Sequence, residues 1–411
     1  MKLRIRSTVS RSRWPALAMA GTALPTAILL ACATDGASPP TDEPPTTETV
    51  TAGDGGVDAD VVVDGDASLG PCDDCEYFPE TCAPDVLCSS GPFDPVTSGG
   101  AFDSRTRVDV IRGRSANDVW VAGGAGALAH FDGTSWTRSE SGTQESLKAL
   151  WLRASDEVAF ARLDVLHTRG IDVPDASVSD GGWSQQIATA PTAYTRYPTS
   201  LEGAWGTPDA EWLWAALRGA SPASVLRPTT LWRLRTSPSG AFEIAVAVTG
   251  TFPYPMTSVH GTTPDVLWAV GDNGMAVRIT GAQGAQPTYE MFDTHTLNGL
   301  RGVWVASESE AWAVGGSGTI CHYTGDGSYW EVVADVPTTQ HLNAVWGTSP
   351  SDVWAVGDGA VVLHYDGAQW SRVKIAGLGL RRPDLFAVWS ATPGHVWIGG
   401  HGVLLSVGGN P

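Results

Sequence analysis

The segment Leu342-Asn-Ala-Val-Trp346-Gly-Thr-Ser-Pro-Ser-Asp352-Val-Trp354-Ala-Val-Gly357-Asp-Gly359, followed by Val361-Val-Leu-His364-Tyr-Asp366-Gly367-Ala-Gln-Trp370, decides the fold. Val, Trp and Ala runs alternate with turn clusters (G-T-S-P-S, G-D-G, Y-D-G-A), the signature of strands joined by tight turns. The reading predicts four strands: Leu342–Trp346, Asp352–Val356, Val361–Tyr365 and Trp370–Ile375.

Outward from this segment the pattern recurs. Its second tryptophan, or a stand-in, falls at Trp120, Phe160, Trp214, Trp268, Trp312, Trp354 and Trp397, in steps of 40 to 54 residues. The first aromatic falls at Trp151, Trp205, Trp304, Trp346 and Trp389, with Arg112 and His260 in its place in two units. A third tryptophan follows a turn at Trp136, Trp183, Trp330 and Trp370, so 15 of the 18 tryptophans keep register. No useful amphipathic helix pattern follows the N-terminal segment. A period of this length with four strands per unit specifies an all-β fold, a β-propeller over residues 92–411. The seven units predict seven blades. The two longest units, in residues 149–250, match most weakly and leave six or eight open. The last unit ends at Pro411 without a fourth strand. An open sheet edge is a liability, so the segment Phe93–Thr97 is expected to close the ring. Tryptophans recurring at one blade position are expected to pack between blades rather than form a carbohydrate platform.

The turns Asp132-Gly133 before Trp136, Asp366-Gly367 before Trp370 and Asp180-Gly-Gly-Trp183 resemble degenerate Asp-box, or bacterial neuraminidase, repeats. The V-W-A-V-G core is also similar to propellers of the photosystem-assembly-factor type. The whole resembles repeat propellers of secreted proteins and lipoproteins in large-genome soil bacteria. The resemblance covers about residues 100–411 and implies architecture more than function, since this fold hosts enzymes, adhesins and assembly factors.

The N-terminus reads as an address. Lys2, Arg4, Arg6, Arg11 and Arg13 precede an apolar stretch from Ala16 to Ala31, the layout of a secretory signal peptide over residues 1–31. The run Leu29-Leu30-Ala31-Cys32 resembles the lipobox of bacterial lipoproteins, which implies lipidation at Cys32 and a membrane anchor. Ala33 after the cysteine implies the outer membrane, with the domain periplasmic or surface-exposed. Residues 33–70 are rich in Pro, Thr and Gly and carry nine acids and no Lys or Arg, which reads as a disordered tether spanning roughly 35 Å. The acids Asp58, Asp60, Asp64 and Asp66 lack the companions of a calcium loop and read as spacer. Residues 71–91 hold Cys72, Cys75, Cys82 and Cys88, expected as two disulfides in one of three pairings.

Charge narrows the function. The whole chain carries −19, and removing the five N-terminal bases leaves −24, so no nucleic-acid partner is expected. No catalytic, metal-binding or cofactor motif stands out, and none of these sites, nor a cofactor, is expected. Arg105, Arg107, Arg112, Arg114, Arg381 and Arg382 have no spacing that marks convergence. His130, His167, His322 and His364 share one repeat position and read as structural. Cys321 aligns with Leu363, Ala129 and Leu166 and reads as a buried free thiol. The glycine-rich turns between second and third strands should gather at the channel mouth. There Asp272, Asn273, Asp358 and His401 could line a small-ligand or cation site, against a plain turn role. The expected function is a non-enzymatic, monomeric, lipid-anchored envelope module binding a protein or glycan through one face. The alternatives are a glycoside hydrolase or lyase, and an envelope or pilus assembly component.

Overall fold

A computed structural model describes residues 74–93, 102–192, 199–219, 231–248 and 252–408. Seven four-stranded antiparallel sheets follow one another, and each first strand packs against the first strand of the next sheet, the last against the first. The molecule is a seven-bladed β-propeller. Blade one runs Val108–Ser115, Asp118–Gly123, Leu128–Phe131 and Trp136–Arg138. Blade six runs Leu342–Ser349, Asp352–Gly357, Val362–Tyr365 and Trp370–Arg372, close to the four strands read from the segment quoted first. The tether and the signal segment, with Cys32 and Cys72, lie outside the described residues.

Tryptophan register explains how blades stack. The third tryptophan of one blade packs edge-on against the second tryptophan of the blade before it. Trp183 meets Trp120 at 5.6 Å, Trp330 meets Trp268 at 5.0 Å, Trp370 meets Trp312 at 5.4 Å, and Trp136 closes the circle on Trp397 at 5.1 Å. Edge-to-face pairs of this kind add to the area they bury. The glycine ending V-W-A-V-G is needed for close approach: a Cβ on Gly357 would lie 2.0 Å from the His341 carbonyl oxygen.

Three expectations are corrected. First, the ring is closed by Leu87–Ser89, not by Phe93–Thr97; it pairs antiparallel with Val403–Val407 as the fourth strand of blade seven. Pro92 and Pro95 flank Phe93 and lack backbone donors, which spoils that stretch as a ladder. The Cys82–Cys88 disulfide joins the closing strand to the loop before it, and Cys75 is disulfide-bonded as well. Second, the blade-two counterpart of the second tryptophan is Val158, not Phe160. Val158 is the residue opposite Trp151, as Trp354 is opposite Trp346. Ala159 then matches Ala355, and Phe160 falls two residues on, on the same face. Third, His167 consequently leaves the histidine position to Thr168 and takes the buried place held elsewhere by Cys321 and Leu363, which Leu166 does not share.

The other three histidines are structural as read. Each stacks on the second tryptophan of its blade and bonds the acid that opens the second strand. His130 reaches Asp118 at 2.8 Å, His322 reaches Glu310 at 3.2 Å and His364 reaches Asp352 at 2.7 Å. Cys321 is a buried free thiol whose pKa burial pushes up to about 12.

Candidate binding site at the channel mouth

The first strand of nearly every blade carries a β-bulge at one repeat position. The register skips Asp109, Glu202, Thr257, Arg301, Asn343 and Phe386 in blades one, three, four, five, six and seven. Lys148 holds the matching place in blade two, just before Ala149. A bulge turns one side chain out of the alternation of its strand. Here all seven line a single cavity of about 750 Å³ at one end of the channel. The mouth is therefore built by one chemically distinct residue from every blade.

Its electrostatics are layered. The Asp109 carboxylate is nearly covered and is bonded by both Arg107 and Lys148, the latter at 2.9 Å. Arg218 crosses to Asp272 at 2.7 Å and lies 3.7 Å from Glu202. The hydrogen bond that Arg218 donates to Asp272 raises the Arg218 pKa. Arg301 donates to Asn343 Oδ1 at 2.6 Å and pairs with no carboxylate among the described residues. Against the acidic whole, the mouth offers the cations Arg107, Lys148, Arg218 and Arg301.

The sequence-chosen residues fall around this mouth unequally. Asp272 lines the cavity; Asp358 stands behind it, accepting from Asn343 Nδ2 at 2.7 Å. His401 packs edge-on against Phe386 at 4.9 Å. Asn273 has φ 57° at the centre of a 3-10 turn, the place Ala125, Ser317 and Gly359 hold in other blades, and is a turn residue. Among the described residues no three His, Cys, Asp or Glu side chains are grouped to hold a metal ion. Of the six arginines, Arg107 reaches the mouth and Arg112 lies deeper in the channel. Arg105 pairs with Asp103, Arg114 bridges Asp118 and Glu157, Arg381 donates to the His401 carbonyl, and Arg382 lies over Phe78.

The bulge ring was missed by the sequence reading, although a signal exists. In Val108-Asp-Val110, Leu147-Lys-Ala149, Leu300-Arg-Gly302, Leu342-Asn-Ala344 and Leu385-Phe-Ala387 the flanks are constant in character and the centre is not. A residue that changes chemistry within a fixed frame is free of the core.

Below the mouth, small residues such as Gly203, Gly302, Ala344 and Ala387 narrow the channel to a space of about 120 Å³. Three residues beyond each bulge the strands bring up a second ring: Arg112, Trp151, Trp205, His260, Trp304, Trp346 and Trp389. His260 is buried beside Arg112, and burial together with that cation pushes its pKa down to about 3. The folded chain thus refuses a proton that the unfolded chain takes once pH falls below about 6.5. Stability should fall from there toward pH 3, by up to roughly 1.4 kcal/mol per pH unit. His167 and His322 are shifted the same way by burial, so a variant isolates the effect. Between pH 6.5 and 4.5, urea unfolding of His260→Phe should lose about 2 kcal/mol less than the parent. Equal losses would contradict the assignment.

No family model and no curated protein matches the sequence. Solved structures do match in fold. YCF48 bound to a D1 peptide is 14% identical with a TM-score of 0.56, covering 80% of this chain and 96% of that one. YCF48 from Cyanidioschyzon merolae is 12% identical at TM-score 0.54, covering 74% and 95%. Virginiamycin B lyase from Staphylococcus aureus is 12% identical at TM-score 0.53, covering 74% and 94%. At these identities the likeness establishes the propeller fold alone.

Proposed function

We propose that this chain is a non-catalytic binding propeller, anchored to the bacterial cell envelope through Cys32, whose mouth takes a segment of a protein partner. The ring of bulge residues carries the reading: seven blades aim seven different side chains into one cavity of about 750 Å³. That is a recognition surface set by a rigid scaffold. Two features favour protein over glycan. The tryptophans, Trp205 and Trp346 excepted, are buried between blades among the described residues, and none lines the mouth, where Phe386 is the one Phe, Tyr or Trp. A propeller of similar fold, YCF48, has been solved with a peptide bound. The anchor, tether and outer-membrane address rest on the sequence of residues 1–70.

Another propeller of similar fold is a lyase, but the carboxylates at this mouth weigh against acid–base chemistry. An acid–base pair requires carboxylates that can exchange protons with substrate. Asp109 and Asp272 are instead held by Arg107, Lys148 and Arg218. Those pairs suit a charge-patterned docking surface.

The test is a random peptide-display selection on the full chain, followed by titration of the selected peptides. Arg301→Ala and Phe386→Ala should each weaken binding by about tenfold or more, as loss of a central interface contact does. Peptides that bind both variants as tightly as the parent would overturn the reading. So would a selection that yields none while a glycan panel is bound or turned over.

A further inference from the structure

At the far end of the channel lies a second pocket of about 180 Å³ that the mouth does not use. Its walls are Trp205, Trp346, Trp389, Leu150 and Leu152, and its single charged group is Arg112. Strand geometry places it about 10 Å below the bulge ring, three residues further along. We propose that this pocket binds a small aromatic monocarboxylate, with its ring among the tryptophans and its carboxylate on Arg112.

Among the described residues the guanidinium has no acidic partner. Its one hydrogen bond among the described residues runs from Nη1 to the carbonyl of its neighbour Ile111 at 2.8 Å, and it rests 5.2 Å from the Trp346 ring centroid. In five of seven blades this position is tryptophan, so the cation is a departure from the repeat, not a requirement of it. Burial lowers the Arg112 pKa to about 10, which leaves it charged at neutral pH. A desolvated cation without a counter-ion is costly, and a bound carboxylate relieves that cost.

A second donor belongs to the same ring of first-strand residues and lines the adjoining space together with Arg112. The His260 ring lies 5.1 Å from the same Trp346 ring. Its Nδ1 accepts the Val305 N–H at 3.1 Å, so the neutral ring carries its proton on Nε2, for which no acceptor stands among the described residues. His260 is 6% exposed and lines, with Arg112, the channel space that adjoins the pocket. A carboxylate has acceptor sites for both groups.

Size and shape fix the rest. A cavity of roughly 150 Å³ accommodates benzene, so this one holds a single ring with a short acid arm. One cation matches one negative charge; a phosphate dianion would bring an unpaired charge against indole and leucine walls. The walls are set before binding. The Trp346 indole N–H is held by the Ser390 carbonyl at 2.9 Å, and the neighbouring Trp151 N–H by the Thr207 carbonyl at 3.1 Å. Preorganised walls lower the ordering cost of binding.

Calorimetric titration of the full chain with phenylacetate, and with its neutral isostere phenylacetamide, tests this. Phenylacetate should bind saturably at one site, with phenylacetamide at least about tenfold weaker. Arg112→Trp, which restores the residue of the repeat, should abolish phenylacetate binding. Equal binding of acid and amide, or no saturable binding by about 10 mM, would overturn the proposal. Retained binding in a folded Arg112→Trp chain would overturn it too. If that variant does not fold, the comparison of acid with amide on the parent decides alone.

Discussion

Leu87→Asp is expected to open the ring and remove most of the stability of the propeller. Leu87 is fully buried among Trp354, Leu378, Leu385, Ile398 and Leu405. Its own N–H and carbonyl bond the segment after blade six, while its neighbours Val86 and Ser90 bond blade seven. Leu87 lies opposite Val407 of blade seven, donates its N–H to the Lys374 carbonyl at 3.0 Å and accepts the Ala376 N–H on its own carbonyl at 2.8 Å. The closing strand thus ties the last blade to the strand end of the sixth. Truncating a buried leucine costs about 2–5 kcal/mol, and an unpaired buried carboxylate adds several more. Against a total of roughly 5–15 kcal/mol, that is enough to unfold the chain under mild conditions. Urea midpoints of Leu87→Asp and of Leu297→Asp, an exposed control at 79% accessibility, provide the check. Equal midpoints would show that the closing strand is dispensable.

The second large effect is expected at the junction of blades four and five. Trp268 is fully buried and meets Phe292 at 4.6 Å, Tyr323 at 4.8 Å and Trp330 at 5.0 Å. Its removal leaves three aromatic rings facing a void, and the rigid strands on either side cannot collapse into the space. Trp268→Ala should cost about 3–5 kcal/mol. Trp268→Phe should cost clearly less, because part of the ring contact survives. A loss below about 1 kcal/mol for the alanine variant would mean that blade contacts do not hold the ring together.

Blade count and blade stacking were legible because tryptophan is rare, and its recurrence marks one position per unit. Where that marker fails, reading by eye slips: in blade two Phe160 looked like the stand-in, while the backbone register selects Val158. The closing strand was not legible because Leu87–Ser89 is three residues long and sits inside a cysteine-rich segment. Its role follows from pairing across the whole chain, which no local pattern announces. The site was legible in part. Asp272 lines the mouth cavity, but its turn is what singles it out in the sequence, and the turns are shaped by left-handed backbone such as that of Asn273. The residues that build the mouth are single positions spread from Asp109 to Phe386. Only the bulges, which depend on pairing between strands, bring them together.

Docking of a protein partner in the mouth can be read in the cells that produce the chain. The most direct measurement replaces Phe386 by p-benzoylphenylalanine in the full chain and irradiates the cells that produce it. The same residue at Val178, 64% exposed and absent from the mouth, serves as the control. A discrete polypeptide adduct is expected from position 386, lost on Arg301→Ala, and none from position 178. No adduct from 386, or the same adducts from both positions, would contradict it.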